Sequence, residues 1–245
     1  MSRKSILLGV GLLALLSGAV SSVLLLLVRH EPEFYERIGL PPGMERQKHS
    51  QEFQGKFMQL VNGIDNNKTW QERFTEAQIN SYFEEDFIRS GVSTTLLPEG
   101  ISSPRVSFEP GKVRLAFRYG THTWCSTIVS IDFKVWLAAH ETNVVALELQ
   151  GLHAGSLPVS AQSLLDRITE VVRRRDDIEI TWYRHDGNPV ALLRFQANQP
   201  RPTVRLETLQ LGQGELIIGG RSVEAAPLRA MLGVPVTAFK PSAGW

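Results

Sequence analysis

From Ser5 to Val28 the chain runs for 24 residues without a charged side chain, 17 of them apolar, and the stretch closes on Val23-Leu24-Leu25-Leu26-Leu27-Val28. As an α-helix it is about 36 Å long, enough to cross a hydrocarbon layer of about 30 Å with some tilt. Arg3 and Lys4 precede it, while Arg29 is soon followed by Glu31 and Glu33. The positive-inside bias then predicts a cytoplasmic N-terminus and an extracytoplasmic remainder. The competing reading is a cleaved signal peptide, whose apolar region is shorter, about 7 to 15 residues, and ends at a small-x-small site. Ala19-Val20-Ser21 offers such a site, but cleavage there leaves the apolar run Val23–Val28 at the new N-terminus. The expectation is therefore an uncleaved single-pass anchor in the cell membrane, with residues 5–28 as the membrane contact. No cysteine lies near the run, which excludes a lipoprotein anchor.

Beyond the anchor the chain divides by composition. Residues 29–48 carry Pro32, Gly39, Pro41, Pro42 and Gly43 and read as a solvated linker. Residues 49–220 read as one α+β domain, and 221–245, rich in Pro, Ala and Gly, as an irregular tail. Ser50 is placed as a helix N-cap, followed by Phe53, Phe57, Leu60, Val61 and Ile64 at helical spacing. Thr75 with Gln78 three residues on has the form of a capping box. The helix it opens shows Ile79, Tyr82, Phe83 and Phe87 on one side and Glu84-Glu85-Asp86 mostly on the solvated side, and Gly91 ends it.

After Gly91 the apolar period changes from 3.6 to 2. Strands are predicted on both sides of Pro110-Gly111, over Thr127–Leu137, and around Val145, Leu147 and Leu149. A third helix is predicted from Ser160 to about Arg175. Further strands follow at Ile178–Tyr183, Val190–Phe195, Thr203–Leu211 and Glu215–Ile218, with a turn at Asp186-Gly187-Asn188. The fold class is α+β: an N-terminal transmembrane helix followed by a long antiparallel sheet packed against helices.

Chemistry-bearing motifs are scarce. A formal charge of +1, from 26 basic and 25 acidic residues, argues against nucleic acid as a partner. One cysteine, Cys125, excludes an intrachain disulfide and any CxxC metal or redox site. No Gly-x-Ser-x-Gly, P-loop or His-Glu-x-x-His occurs. His122-Thr123-Trp124-Cys125 brings together two soft ligands with no third, and reads as a turn histidine beside a thiol. His153 and Ser156 flank Gly155 without an orienting acid. Glu84-Glu85-Asp86 diverge by about 100° per residue and cannot face one another as an acid–base pair. Arg173-Arg174-Arg175 suits a helix C-terminus, its field cancelled by Asp176 and Asp177. No catalytic residue, metal ligand or cofactor is expected, and the chain reads as no enzyme.

Two segments carry a resemblance. Phe74-Thr75-Glu76-Ala77-Gln78-Ile79-Asn80-Ser81-Tyr82 resembles the Thr-x-x-Gln-Leu-Asn helix start of membrane-anchored YpmS-like and exported LmeA-like bacterial proteins. Gly151-Leu152-His153-Ala154-Gly155-Ser156-Leu157-Pro158-Val159 is similar to their Gly-x-Leu-Pro step, and Gly214 to Gly219 fits a terminal element. The resemblance covers most of residues 70–220. It implies a long curved antiparallel sheet on helices, related to tubular lipid-binding folds, and roles in envelope lipid handling. The linker with Phe53 and Phe57 and the tail after Gly220 depart from the pattern, and no catalytic residue comes with it.

The functional expectation is a membrane-anchored extracytoplasmic protein that binds a lipid or other apolar ligand. The strand alternation nominates Phe117, Phe133, Val135, Leu147 and Leu149 as the binding face. The alternative is an envelope scaffold with a filled core and no ligand, whose protein partners are unknown and would meet Trp136 and Trp182 on the outer sheet face.

Overall fold

The computed structural model describes residues 21–91, 93, 97, 99–120, 126–160, 162, 165–166, 178–196 and 203–222. Helical residues 21–29 (α1) lead into the short helix Glu33–Arg37 (α2) and the long helix Met44–Asn66 (α3). Among the described residues no helix is long and apolar enough to cross a membrane, and residues 5–20 of the expected span lie outside them. Strand β1 (Thr69–Thr75), α4 (Glu76–Glu84) and α5 (Asp86–Arg89) follow. The strands β2 (Ile101–Glu109), β3 (Lys112–Tyr119), β4 (Thr127–Leu137), β5 (Val144–Ala154) and β6 (Leu157–Pro158) come next. The chain then forms β7 (Ile178–His185), β8 (Asn188–Phe195), β9 (Val204–Gly212) and β10 (Glu215–Ser222). The third predicted helix lies outside the described residues apart from Ser160, Gln162, Leu165 and Asp166, as do Cys125, His122, Arg173-Arg174-Arg175 and the tail from residue 223.

The architecture is α+β, a large antiparallel sheet packed against helices. The strands, however, divide into two sheets: β2-β3-β4-β5-β8-β7, with β6 branching from β5, and a smaller β1-β10-β9. The smaller sheet carries its own core. The α3 stripe of Leu60 and Ile64 packs onto Trp70, Phe74 and Val204, with Phe53, Phe57 and Ile79 beside them. Phe53 stacks between Tyr82 and Phe74, ring centroids 4.8 and 5.4 Å away. At Gly220 a side chain would strike the Trp70 ring at 2.7 Å and the Arg205 carbonyl, and β10 shifts register there to let β9 pass.

Several local expectations change. α3 begins at Met44, so Ser50 lies inside the helix, fully buried, and donates to Asp86 Oδ2 at 2.5 Å. Pro41 and Pro42, just before the start, cannot extend the helix further back. Glu84, Glu85 and Asp86 do not form a solvated face: Glu84 pairs with Arg105 (2.9 Å), Glu85 with Arg46 (2.6 Å), and Asp86 accepts from the Ser50 hydroxyl. Segment 29–43 is packed rather than a free tether, because Tyr35 is 2% exposed and sits with Phe34 against Ala116 and Ile128. The capping box stands as expected: Thr75 Oγ1 accepts from the Gln78 N–H, and the Gln78 side chain accepts from the Thr75 N–H.

The sheets are held together by two buried asparagines. Asn80 on α4 donates to the Val106 carbonyl and accepts from the Val106 N–H, both at 2.8 Å, so its amide occupies the place of a neighbouring strand along β2. Glu76, one turn earlier, accepts from the Phe108 N–H and from Ser107 Oγ. Asn143 does the same for the other sheet: its amide donates to the Val204 carbonyl (2.7 Å) and accepts from the Leu206 N–H (2.8 Å) of β9. It holds φ +58°, a left-handed conformation asparagine tolerates better than most residues. Replacing Asn80 by Ala leaves a buried N–H and carbonyl unpaired, so its unfolding free energy in urea should drop by about 2–4 kcal/mol. The exposed Asn66→Ala change should cost no more than about 0.5 kcal/mol. Equal losses for the two would refute the clamp.

Candidate functional site

The large sheet has two chemically distinct faces, and strand parity assigns each residue to one. Cross-strand partners share a face, and the register gives Phe117↔Val129, Leu115↔Ile131, Phe133↔Leu149, Val135↔Leu147, Leu147↔Ala191 and Trp182↔Ala191. One face is therefore apolar across β3, β4, β5, β8 and β7. All five sequence-nominated residues, Phe117, Phe133, Val135, Leu147 and Leu149, lie on it. Their cover is graded: Leu149 is buried with Ile131 and Leu152, and Phe117, Phe133 and Leu165 pack around that centre half-buried. Val135 and Leu147 form a half-buried pair beyond it. Trp182 also belongs to this face, whereas Trp136 pairs with Ala146 and points the other way. The two tryptophans thus cannot form one outer patch. Trp182 instead lines a cleft of about 310 Å³ with Gln162, Leu165, Asp166 and Arg184.

The opposite face is mixed, with Ala116, Ile128, Ala146 and Val190 buried on it among charged residues, and is partly covered by the chain that follows α1. Arg114 pairs with Asp132 and Arg118 with Glu31, each at 2.5 Å, and Arg114 lies over the Phe34 ring at 4.6 Å. Further along, Glu148 is 3% exposed beneath the β7–β8 hairpin. Its Oε1 accepts from Asn188 Nδ2 at 2.9 Å, its Oε2 has no hydrogen-bond partner, and His185 Nδ1 lies 3.8 Å away. The Asn188 hydrogen bond, helped by the charges of His185 and Lys134, holds its carboxyl below the ordinary carboxylate value, against the opposing effect of burial. Sequence reading did not find this cluster. Glu148 alternates with Leu147 and Leu149 as any solvated strand residue would, and only the long-range return of residues 185–188 buries it.

Other nominated chemistry does not assemble. His153 pairs across the sheet with Ser130 and Pro158, Ser156 sits in an exposed turn, and no hydrogen bond joins them. Among the described residues no three His, Cys, Asp or Glu side chains gather as a metal site. Chemically, the arrangement offers an apolar surface to a hydrocarbon and one buried carboxylate. No protein-family model, curated protein or solved structure matches this chain.

A folded-state pKa below the unfolded value of 4.5 makes Glu148 a source of stability that is present above that value and lost as pH falls through the folded one. The difference in unfolding free energy between the wild type and Glu148→Gln should therefore shift in the variant's favour on acidification from neutral pH to below the unfolded value. Urea titrations at several pH values measure it, and a difference that does not move with pH would contradict the assignment.

Proposed function

We propose that the chain is a single-pass membrane-anchored extracytoplasmic protein whose sheet curves to hold a lipid or other apolar ligand against Phe117, Phe133, Val135, Leu147 and Leu149. The observation that carries this reading is the continuous apolar face, which crosses five strands and leaves Phe117, Phe133, Val135 and Leu147 only half-buried. A soluble sheet normally completes the cover of such a face, because each Å² of apolar surface left in water forfeits about 25 cal/mol. The anchor rests on the uncharged run Ser5–Val28. Its described end supports it: Val23, Leu24, Leu25 and Leu26 are 46–70% exposed on α1, a surface suited to hydrocarbon rather than water. The YpmS-like and LmeA-like resemblance points the same way. The Thr75–Asn80 residues that carry it hold α4 and seal β2, a role in building such a sheet rather than in chemistry.

The rival reading, a filled core serving as a protein scaffold, draws on Leu165, which packs onto Ile131, Leu149 and Leu152. Native mass spectrometry of the full chain, released from micelles, separates the two. One tightly held lipid per chain is expected. Leu147→Arg should cut its occupancy about tenfold or more, since a guanidinium set against a hydrocarbon loses well over 1.4 kcal/mol of binding. Lipid-free chains in repeated preparations, with Leu147→Arg indistinguishable from the parent, favour the scaffold.

A further inference from the structure

We infer that the domain has no free tether and is latched onto the end of α1, so that it stands on the lipid bilayer surface with one end of its apolar face at the headgroups. This rests on the anchor reading and adds to it an orientation and a contact surface. The last carbonyls of a helix have no partner within it. Here those of Leu27 and Val28 are taken by the domain: the Ser156 N–H donates to Leu27 at 2.9 Å and Thr127 Oγ1 donates to Val28 at 2.5 Å. Gly155 makes the approach. It holds φ +59°, its own N–H is tied to the Ile128 carbonyl at 2.7 Å, and any Cβ there would run into the Leu27 and Val28 carbonyls.

The chain that leaves the latch stays on the sheet. Glu31 pairs with Arg118, the Tyr35 hydroxyl donates to the Ser103 carbonyl at 2.7 Å, and Arg105 lies over the Tyr35 ring at 4.3 Å while donating to the Tyr35 carbonyl. These contacts make residues 31–35 a strap along the face opposite the apolar one. The domain therefore cannot swing about a linker.

The latch selects which end meets the bilayer. Thr127 starts β4, and its partner across the sheet is Tyr119 at the end of β3. Val159 follows β6 as it runs back along β5, its N–H on the Leu152 carbonyl and so level with Ile131, about 13 Å from Thr127 at about 3.3 Å per strand residue. Tyr119 is 53% exposed, a large side chain at the same end as the exposed α1 leucines. A tyrosine at that height suits a membrane–water interface, its ring among apolar groups and its hydroxyl in water. The Phe117↔Val129 rung of the apolar face lies two residues behind Tyr119. From Tyr119 to Lys112 the face rises about 23 Å from the bilayer, at about 3.3 Å per strand residue. A lipid chain could enter it from the adjoining leaflet without crossing water.

The test uses the full chain in vesicles of phosphatidylethanolamine and phosphatidylglycerol, in a Cys125→Ser background. Single-cysteine variants at Tyr119, Val159 and His140 carry an environment-sensitive fluorophore, and the vesicles carry a headgroup-level quencher. The label at Tyr119 should be quenched several-fold more than the label at His140, which sits in the β4–β5 turn at the opposite end, with Val159 between the two. Gly155→Ala should abolish that contrast while the chain still floats with the vesicles. Thr127→Val, which removes one latch bond without backbone strain, should weaken the contrast and guards against a folding defect in the glycine variant. Equal quenching at all three positions in a chain that floats overturns the latch and leaves the anchor standing. A chain that fails to float with the vesicles overturns the anchor reading itself.

Discussion

Two buried side-chain amides, those of Asn80 and Asn143, hold the rest of the structure in place. A primary amide carries N–H donors and a carbonyl acceptor side by side, as a peptide group does. It can therefore pair a backbone carbonyl and a backbone N–H of an edge strand as the next strand would. Asn80 sits on α4, which follows β1 of the smaller sheet and packs on β2 of the larger one, and seals that strand. Asn143 sits in a turn of the larger sheet and seals β9 of the smaller one. One edge strand of each sheet, β2 and β9, is thus capped by a side-chain amide. Unpaired strand edges invite aggregation, and here both are occupied by intramolecular partners that cannot be extended into another strand. The turns reinforce the joint, where the Gly111 N–H reaches the Leu211 carbonyl and the Gly214 N–H reaches the Phe108 carbonyl.

What could be read from the sequence follows the range of the interactions. The Thr75–Gln78 capping box spans three residues and is visible as a pattern, and so is the alternation in β3, β4, β5 and β8. Asn80, two residues after Gln78, gives no local sign that its partner is Val106. β1 escaped notice because its inward positions are Trp70, Glu72 and Phe74, and the glutamate breaks the apolar alternation. The separation into two sheets depends on which distant strands pair, as Trp70 does with Gly220, and local periodicity carries no such information. Glu84 and Glu85 looked solvated because their partners, Arg105 and Arg46, lie on other elements. The same limit applies to Tyr35, where a proline-rich segment concealed a buried aromatic.

The candidate site was legible in a similar sense. Parity along a strand decides face, so Phe117, Phe133, Val135, Leu147 and Leu149 could be grouped before any register was known. Parity does not decide cover. It placed Glu148 correctly on the opposite face, yet gave no hint that the hairpin at residues 185–188 folds over it. Nor could it distinguish Leu149, which is shut in, from Leu147, which is not. The two tryptophans fail for the same reason: each lies in a strand of its own, and only the registers show that Ala146 and Ala191 set them on opposite faces.

The strap and the apolar face answer one mechanical question. A flexible linker of about 20 residues has a root-mean-square reach of about 25 Å and would let the domain sample many orientations above a membrane. On the proposed reading that freedom is gone, because the Leu27 and Val28 carbonyls end on Ser156 and Thr127 and the next residues are bound to Arg118 and Ser103. The domain has then given up its orientational entropy on folding, before any ligand arrives. A chain of lipid moving onto the Phe117 rung meets a surface already aligned with it, so less of its binding free energy goes into positioning the domain. The exposed α1 leucines and the half-buried sheet face become parts of one apolar path, with the Gly155 turn as its fixed corner.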